Sequence, residues 1–199
     1  MIGVGRCYPQ YLLNQALWLD DDAKLRSLFY PLYNNILLYW FPPAEGYDVA
    51  PYWDIPDSKK KKKITFVILH GRHPLLLVDV KAPSDFKSDS KRRAAVEQVV
   101  QHLDEVGPRN QHADRLYAIS AIGKRWRACY TLKGKGSGAG QPIKAVAETK
   151  SLESTNAACW NPDITSDAFY EALWNIVEAI KGNVFRMQFG NVCESSSPT

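Results

Sequence analysis

The chain has 199 residues, 45% hydrophobic and 23% charged, with a formal net charge of +4. That composition excludes a wholly disordered chain, and the length suits one domain that buries a core without metal or disulfide staples. Four cysteines without metal-ligand spacing, no leader resembling a signal peptide and no apolar run near membrane length point to reduced thiols in an intracellular protein, cytoplasmic or nuclear.

From the N-terminus, Pro9 to Leu19 carries Leu12, Leu13, Ala16 and Leu17 at helical spacing. One of Asp20, Asp21 and Asp22 can cap a second helix, which the pattern carries to about Phe41 with Leu25, Leu28, Phe29, Leu32, Ile36 and Tyr39 on one side. Pro31 is expected to kink that helix and Pro42-Pro43 to end it. Trp18, Tyr30, Tyr33 and Trp40 exceed what a simple core stripe needs, and they suggest a partner surface or a homodimer contact through these helices. Tyr47 to Ile55 reads as a short strand. Ile64 to His70 and Pro74 to Lys81 read as a hairpin about Gly71-Arg72. The second of these strands is apolar on both faces, which places it inside a sheet covered on both sides.

Ser88 to Ser90 can cap a helix from about Lys91 to Val106, with Ala94, Ala95, Val99 and Leu103 on its buried stripe. Strands follow at Arg115 to Ile122 and Arg125 to Lys133, joined by Gly123-Lys124. Cys129 lies in the second of them and is the cysteine expected to be buried. A Gly/Lys loop covers Lys133 to Gly140, a further strand is expected over Pro142 to Thr149, and a final helix over Asp167 to Lys181. Residues 1–193 are expected to form one domain, with a frayed, Ser-rich tail over 194–199. The order predicts an α/β protein with a mixed sheet and helices on both faces.

Charge is unevenly spread. Lys59, Lys60, Lys61, Lys62 and Lys63 form an unbroken run, and Lys124, Arg125 and Arg127 a second cluster around Trp126. These cations suit phosphate neutralisation, or for the run a solvated loop. Trp126 suits either the core or base stacking. His70, His73 and His112 lie in turn or loop positions without zinc-binding spacing.

The unusual feature is Asp79-Val80-Lys81. An apolar strand ends in an acid and a base two residues apart, hence on one face. Burying charge is costly, so the pair needs a reason: an ion pair, an exit into water, or chemistry. Pro56-Asp57 lies upstream of the hairpin and Gln98 on the helix downstream.

In these residues and in their strand-strand-helix order, the chain over roughly residues 45 to 130 resembles the PD-(D/E)xK nuclease superfamily. The stretch from Tyr47 to Lys133 is also similar to uncharacterised fungal nuclease-like proteins. The resemblance implies a restriction-endonuclease-like core and a Mg²⁺-dependent (or Mn²⁺-dependent) phosphodiesterase acting on DNA or RNA. Asp57 and Asp79 would hold the metal, together with the carbonyl of Val80 and Glu45 as an additional acid. Lys81 would orient the attacking water or stabilise developing charge, and Gln98 would fix the water or a phosphate. The chain also departs from the pattern. Pairing His70 with His73 puts Ile64 opposite Asp79 and Lys62 opposite Lys81, so Asp57 falls beyond the paired region and lysines stand in its place. That favours an alternative, an inactive nuclease-fold module that binds nucleic acid or protein.

Overall fold

The computed structural model describes residues 7–55, 63–109, 115–132, 141–142, 160–161 and 163–189. Its organisation follows from a strand that must be covered on both faces. That strand is β3 (His73–Lys81), in which Leu75 to Val80 are all buried. It lies inside a six-stranded sheet with β1 (Tyr47–Asp54), β2 (Lys63–His70), β4 (Arg115–Ile122), β5 (Arg125–Leu132) and β6 (Gln141–Pro142), arranged in sequence order. Every neighbouring pair is antiparallel except β3 and β4, which run parallel and are joined across one face by helix α3 (Asp89–Val106).

Alternation divides the strand between two cores. Leu76, Val78 and Val80 join Ile119, Ala121 and Trp126 against helices α1 (Gln10–Leu17), α2 (Tyr30–Trp40) and α4 (Asp167–Phe189). Leu77 points the other way, with Val67 and Ala118, against Val99, Leu103 and Val106 of α3. Each Leu, Ile or Val among them contributes about 1.5–3 kcal/mol when fully buried. The result is the expected α/β class, a mixed sheet flanked by helices. Among the described residues no helix is long and apolar enough to cross a membrane.

Several local expectations need correction. Pro31 does not kink a long helix. It sits in the first turn of α2, where its missing N–H has no role, and a separate 3-10 turn, Arg26–Phe29, precedes it. A 3-10 turn winds at about three residues per turn rather than about 3.6, so the stripe loses phase there. Phe29, Leu32 and Ile36 are buried while Leu25, Leu28 and Tyr39 are exposed. On α3 the buried stripe runs through Ala95, Val99 and Leu103, and Ala94 faces out. The final helix extends to Phe189. Of the strand expected after Pro142, only Gln141–Pro142 is described. The 133–140 loop, the 194–199 tail, His112, Cys159 and Cys193 lie outside the described residues.

The aromatic residues of the first helices divide in the same way. Tyr33 and Trp40 are core, with Tyr33 donating to the carbonyl of Gly123 (2.8 Å) and Trp40 Nε1 to the Tyr8 hydroxyl (3.0 Å). Trp18 is outward-facing at 89% exposure. A surface built on all four aromatics is therefore not present.

Cys129 is buried as expected, and burial pushes its thiol up to about 12. Since the thiolate is the reactive form, iodoacetamide near neutral pH should label the exposed Cys7 and spare Cys129 until denaturant is added. Peptide mass mapping of native and unfolded protein reads this directly.

Candidate functional site

The β2–β3 hairpin contains an irregularity that decides what faces Asp79. His70 pairs with His73 and Leu69 with Pro74, but the register shifts between Ile68 and Leu69, so that Ile68 pairs with Leu76 and Phe66 with Val78. Continuing one step brings Thr65, not Ile64, opposite Asp79. Thr65 Oγ1 donates to Asp79 Oδ1 (2.9 Å), and the same oxygen accepts from the Val80 N–H (3.2 Å). The one-residue shift turns a hydroxyl toward the carboxylate in place of an aliphatic side chain.

Asp79 is 3% exposed. Its other oxygen, Oδ2, lies 2.8 Å from Lys81 Nζ, a charge contact without the alignment of a hydrogen bond. The ammonium instead directs its hydrogen bond to Gln98 Oε1 on α3 (2.7 Å), and Gln98 Nε2 in turn lies 3.3 Å from His102 Nε2. Asp79, Lys81 and Gln98 are thus brought together, as strand parity and the following helix predict.

Further polar residues on this face gave less warning. In the sheet register Asp79 neighbours Ser120, and Ser120 neighbours Arg127. Thr65, Asp79, Ser120 and Arg127 therefore form a buried polar row across four strands, and His102 is buried beside Gln98. Ser120 Oγ has no hydrogen-bond partner among the described residues. The available signal was a polar residue interrupting an apolar strand at matching parity, as Thr65 does in β2 and Ser120 in β4.

Other candidate residues fall elsewhere. Glu45 precedes Tyr47, which pairs with His70, so it lies at the opposite end of the sheet, bound to Lys181 (2.6 Å). Arg127 is buried at 4% exposure and cannot form an outer phosphate contact as it stands. Lys124 pairs with Asp21 (3.1 Å), and Arg125 stacks over the Phe86 ring at 4.4 Å from its centroid. Trp126, 1% exposed, is core and unavailable to a base. Asp57 and Lys59, Lys60, Lys61 and Lys62 lie outside the described residues. Lys63 pairs with Asp54 at 3.8 Å and lines a cavity of about 320 Å³ with Gln98, Gln101 and His102.

A second, larger cleft, about 510 Å³, opens at the Lys81 end of β3. Lys24, Arg26 and Ser27 line it from the approach to α2, Tyr30 and Tyr52 supply rings, and Lys81 forms part of its wall. The Ser84 N–H donates to the carbonyl of Ala23 (3.2 Å), tying the Lys24 segment to the chain leaving β3. Neither Lys24 nor Arg26 makes an ion pair with a described residue, whereas the Asp85 carboxylate at the rim is neutralised by Lys91. Tyr30 and Tyr52 meet edge to face at 5.5 Å. Burial raises the Tyr30 phenol above its ordinary range, with the Arg26 charge opposing the shift.

Hard divalent cations seek several oxygen ligands, usually with more than one carboxylate. Among the described residues no group of three or more His, Cys, Asp or Glu side chains could hold a metal ion. Asp79 brings one carboxylate with both oxygens engaged, and the residue opposite it in the sheet is Thr65, not a second acid. The described residues do not by themselves fit Mg²⁺ or Mn²⁺.

No family model and no curated protein matches the chain. Among solved structures, it is similar to the type IIG restriction endonuclease BpuSI, with a TM-score of 0.43 and 16% identity. That alignment covers 90% of this chain and 18% of the endonuclease chain.

Proposed function

We propose that this is a nuclease-fold protein that grips the phosphate backbone of nucleic acid at the Lys81 end of its sheet. The observation carrying this reading is the convergence of Lys24, Arg26 and Lys81 on one cleft, where the first two have no ion-pair partner among the described residues. Lys81 is held in place by Asp79 and Gln98, and much of its charge is balanced by the carboxylate. Lys24 and Arg26 therefore supply most of the field that attracts an anion, and the planar Arg fork suits two phosphate oxygens at once. Binding of this kind is salt-dependent, because each phosphate neutralised releases counterions.

Reversing both charges, Lys24→Glu with Arg26→Glu, should weaken binding of a labelled oligonucleotide and flatten its salt dependence. The slope of log K against log salt should fall by about 0.7–0.9 for each phosphate no longer neutralised. Fluorescence anisotropy across a salt series measures both quantities. An unchanged affinity with an unchanged slope would remove the cleft from the binding surface.

A second reading is phosphodiester cleavage, favoured by the assembly of Asp79, Lys81 and Gln98 in the pattern that the PD-(D/E)xK resemblance implies. It requires a further acid, for which Asp57 is the sequence candidate. Incubation of DNA and RNA with Mg²⁺ or Mn²⁺ separates the two readings. Cleavage lost in both Asp57→Ala and Asp79→Ala establishes catalysis, and binding without cleavage establishes the non-hydrolytic module.

A further inference from the structure

We infer that the cleft beside Lys81 takes single-stranded nucleic acid, with one base stacked on Tyr52. The inference rests on the nucleic-acid reading above and adds which form is bound and which residue selects it. Tyr52 has φ 50, the only positive φ of a non-glycine residue among the described residues. For a bulky side chain this is a disfavoured conformation, and such outliers persist where the surrounding structure holds them and concentrate at ligand sites.

Here the outlier has a visible geometric result. On one side of Tyr52, Tyr47 and Val49 belong to the helix α1–α2–α4 core. On the other, Trp53 and Ile55, residues of the same parity, pack with the α3 core. The strand rolls over at Tyr52, and the ring it carries is presented at the cleft, 52% exposed, in edge-to-face contact with Tyr30. Tyr30 in turn abuts the buried Phe66 at 6.0 Å, so the pair stands on the core.

A supported aromatic ring beside Lys24 and Arg26 combines the elements used to hold a single strand: a face for the base and charge for its phosphates. A paired duplex conceals its base faces in the stack and would have to expel a nucleotide to use the ring. The cleft volume of about 510 Å³ lies within the range of small-ligand sites, enough for a nucleotide unit but not a double helix.

The test is fluorescence anisotropy with labelled single strands of DNA and of RNA, each about 12 nucleotides long, against duplexes of the same sequence. The parent should prefer single strands. Tyr52→Ala should weaken single-strand binding by roughly five- to a hundred-fold while changing duplex binding little, and Tyr52→Phe should restore it. Tyr52→Gly guards against misfolding, because glycine accepts the positive φ. Its melting temperature should stay close to the parent's while the single-strand affinity falls as in Tyr52→Ala. Unchanged single-strand affinity in folded Tyr52→Gly, or a duplex preference in the parent, overturns this inference and leaves the phosphate-binding reading intact. No binding of any nucleic acid overturns both.

Discussion

Lys81→Met should destabilise the protein by about 3–5 kcal/mol, because it leaves a buried carboxylate without its countercharge. Asp79 is 3% exposed and would retain only the Thr65 hydroxyl as a described hydrogen-bond donor. The reciprocal change is milder. In Asp79→Asn the ammonium of Lys81, whose side chain is 18% exposed, keeps its hydrogen bond to Gln98 and reaches water, and the amide oxygen still accepts from Thr65. A cost of about 1–2 kcal/mol follows for Asp79→Asn, in the range of a single weakened polar interaction. Combining Asp79→Asn with Lys81→Met removes both charges and should recover about 1 kcal/mol of the single Lys81→Met loss, leaving a coupling of about 2–3 kcal/mol. Urea unfolding of the four proteins measures the cycle. In a chain of this length, Lys81→Met should lower the melting temperature by roughly 6–20 °C. A loss below about 1 kcal/mol for Lys81→Met would mean that the carboxylate has another countercharge.

Gly123→Ala is expected to cost about 2–5 kcal/mol, from two causes at one position. Gly123 has φ 61, where an added Cβ is disfavoured by about 1–2 kcal/mol. That Cβ would also lie 2.6 Å from Cβ of Pro83, which cannot move without shifting the chain that leaves β3. Crowding of this kind adds about 1–3 kcal/mol. The backbone N–H of Gly123 donates to the carbonyl of Lys81 (3.1 Å), so the displacement is transmitted to the residue holding the Asp79 ion pair. Thermal unfolding should show the loss, and oligonucleotide binding should weaken with it. A melting temperature equal to the parent's would show that the Pro83 segment yields without cost.

Most of the fold could be read because its determinants are local and periodic. Leu75 to Val80 announces a strand buried on both faces, and Ala95, Val99 and Leu103 announce the helix covering one of them. Sequence and structure part where geometry departs from a single period. Leu25 and Leu28 match an α-helical stripe but lie in and beside a 3-10 turn, which rotates them into solvent. The β2–β3 register, correct at His70 and His73, slips by one residue before Asp79, which replaces Ile64 by Thr65. A bulge within a run of interchangeable aliphatic residues leaves no mark in the letters. The site was legible in part for the same reason. Parity joined Asp79 to Lys81, and Gln98 followed on the next helix. Glu45 depended on an assumed position relative to the sheet, and β1 carries it to the far end. Arg127 suits a phosphate contact by composition, which does not reveal which face of β5 is covered. The cleft residues Lys24, Arg26 and Tyr52 lie far apart in the chain and have no shared pattern.

The parallel pairing of β3 with β4 through α3 also bears on how this protein can change over time. Asp79, Lys81, Gln98, His102 and Ser120 all belong to that one strand–helix–strand unit, with Thr65 reaching in from the adjoining strand. The cleft's cations and rings, Lys24, Arg26, Tyr30 and Tyr52, are contributed by earlier segments and meet the unit at Lys81. The two sets of residues are therefore separately encoded. Substitutions between residues 24 and 52 can reshape the cleft while the ion-pair centre stays intact, and Lys81 is the hinge through which selection on one would be felt by the other.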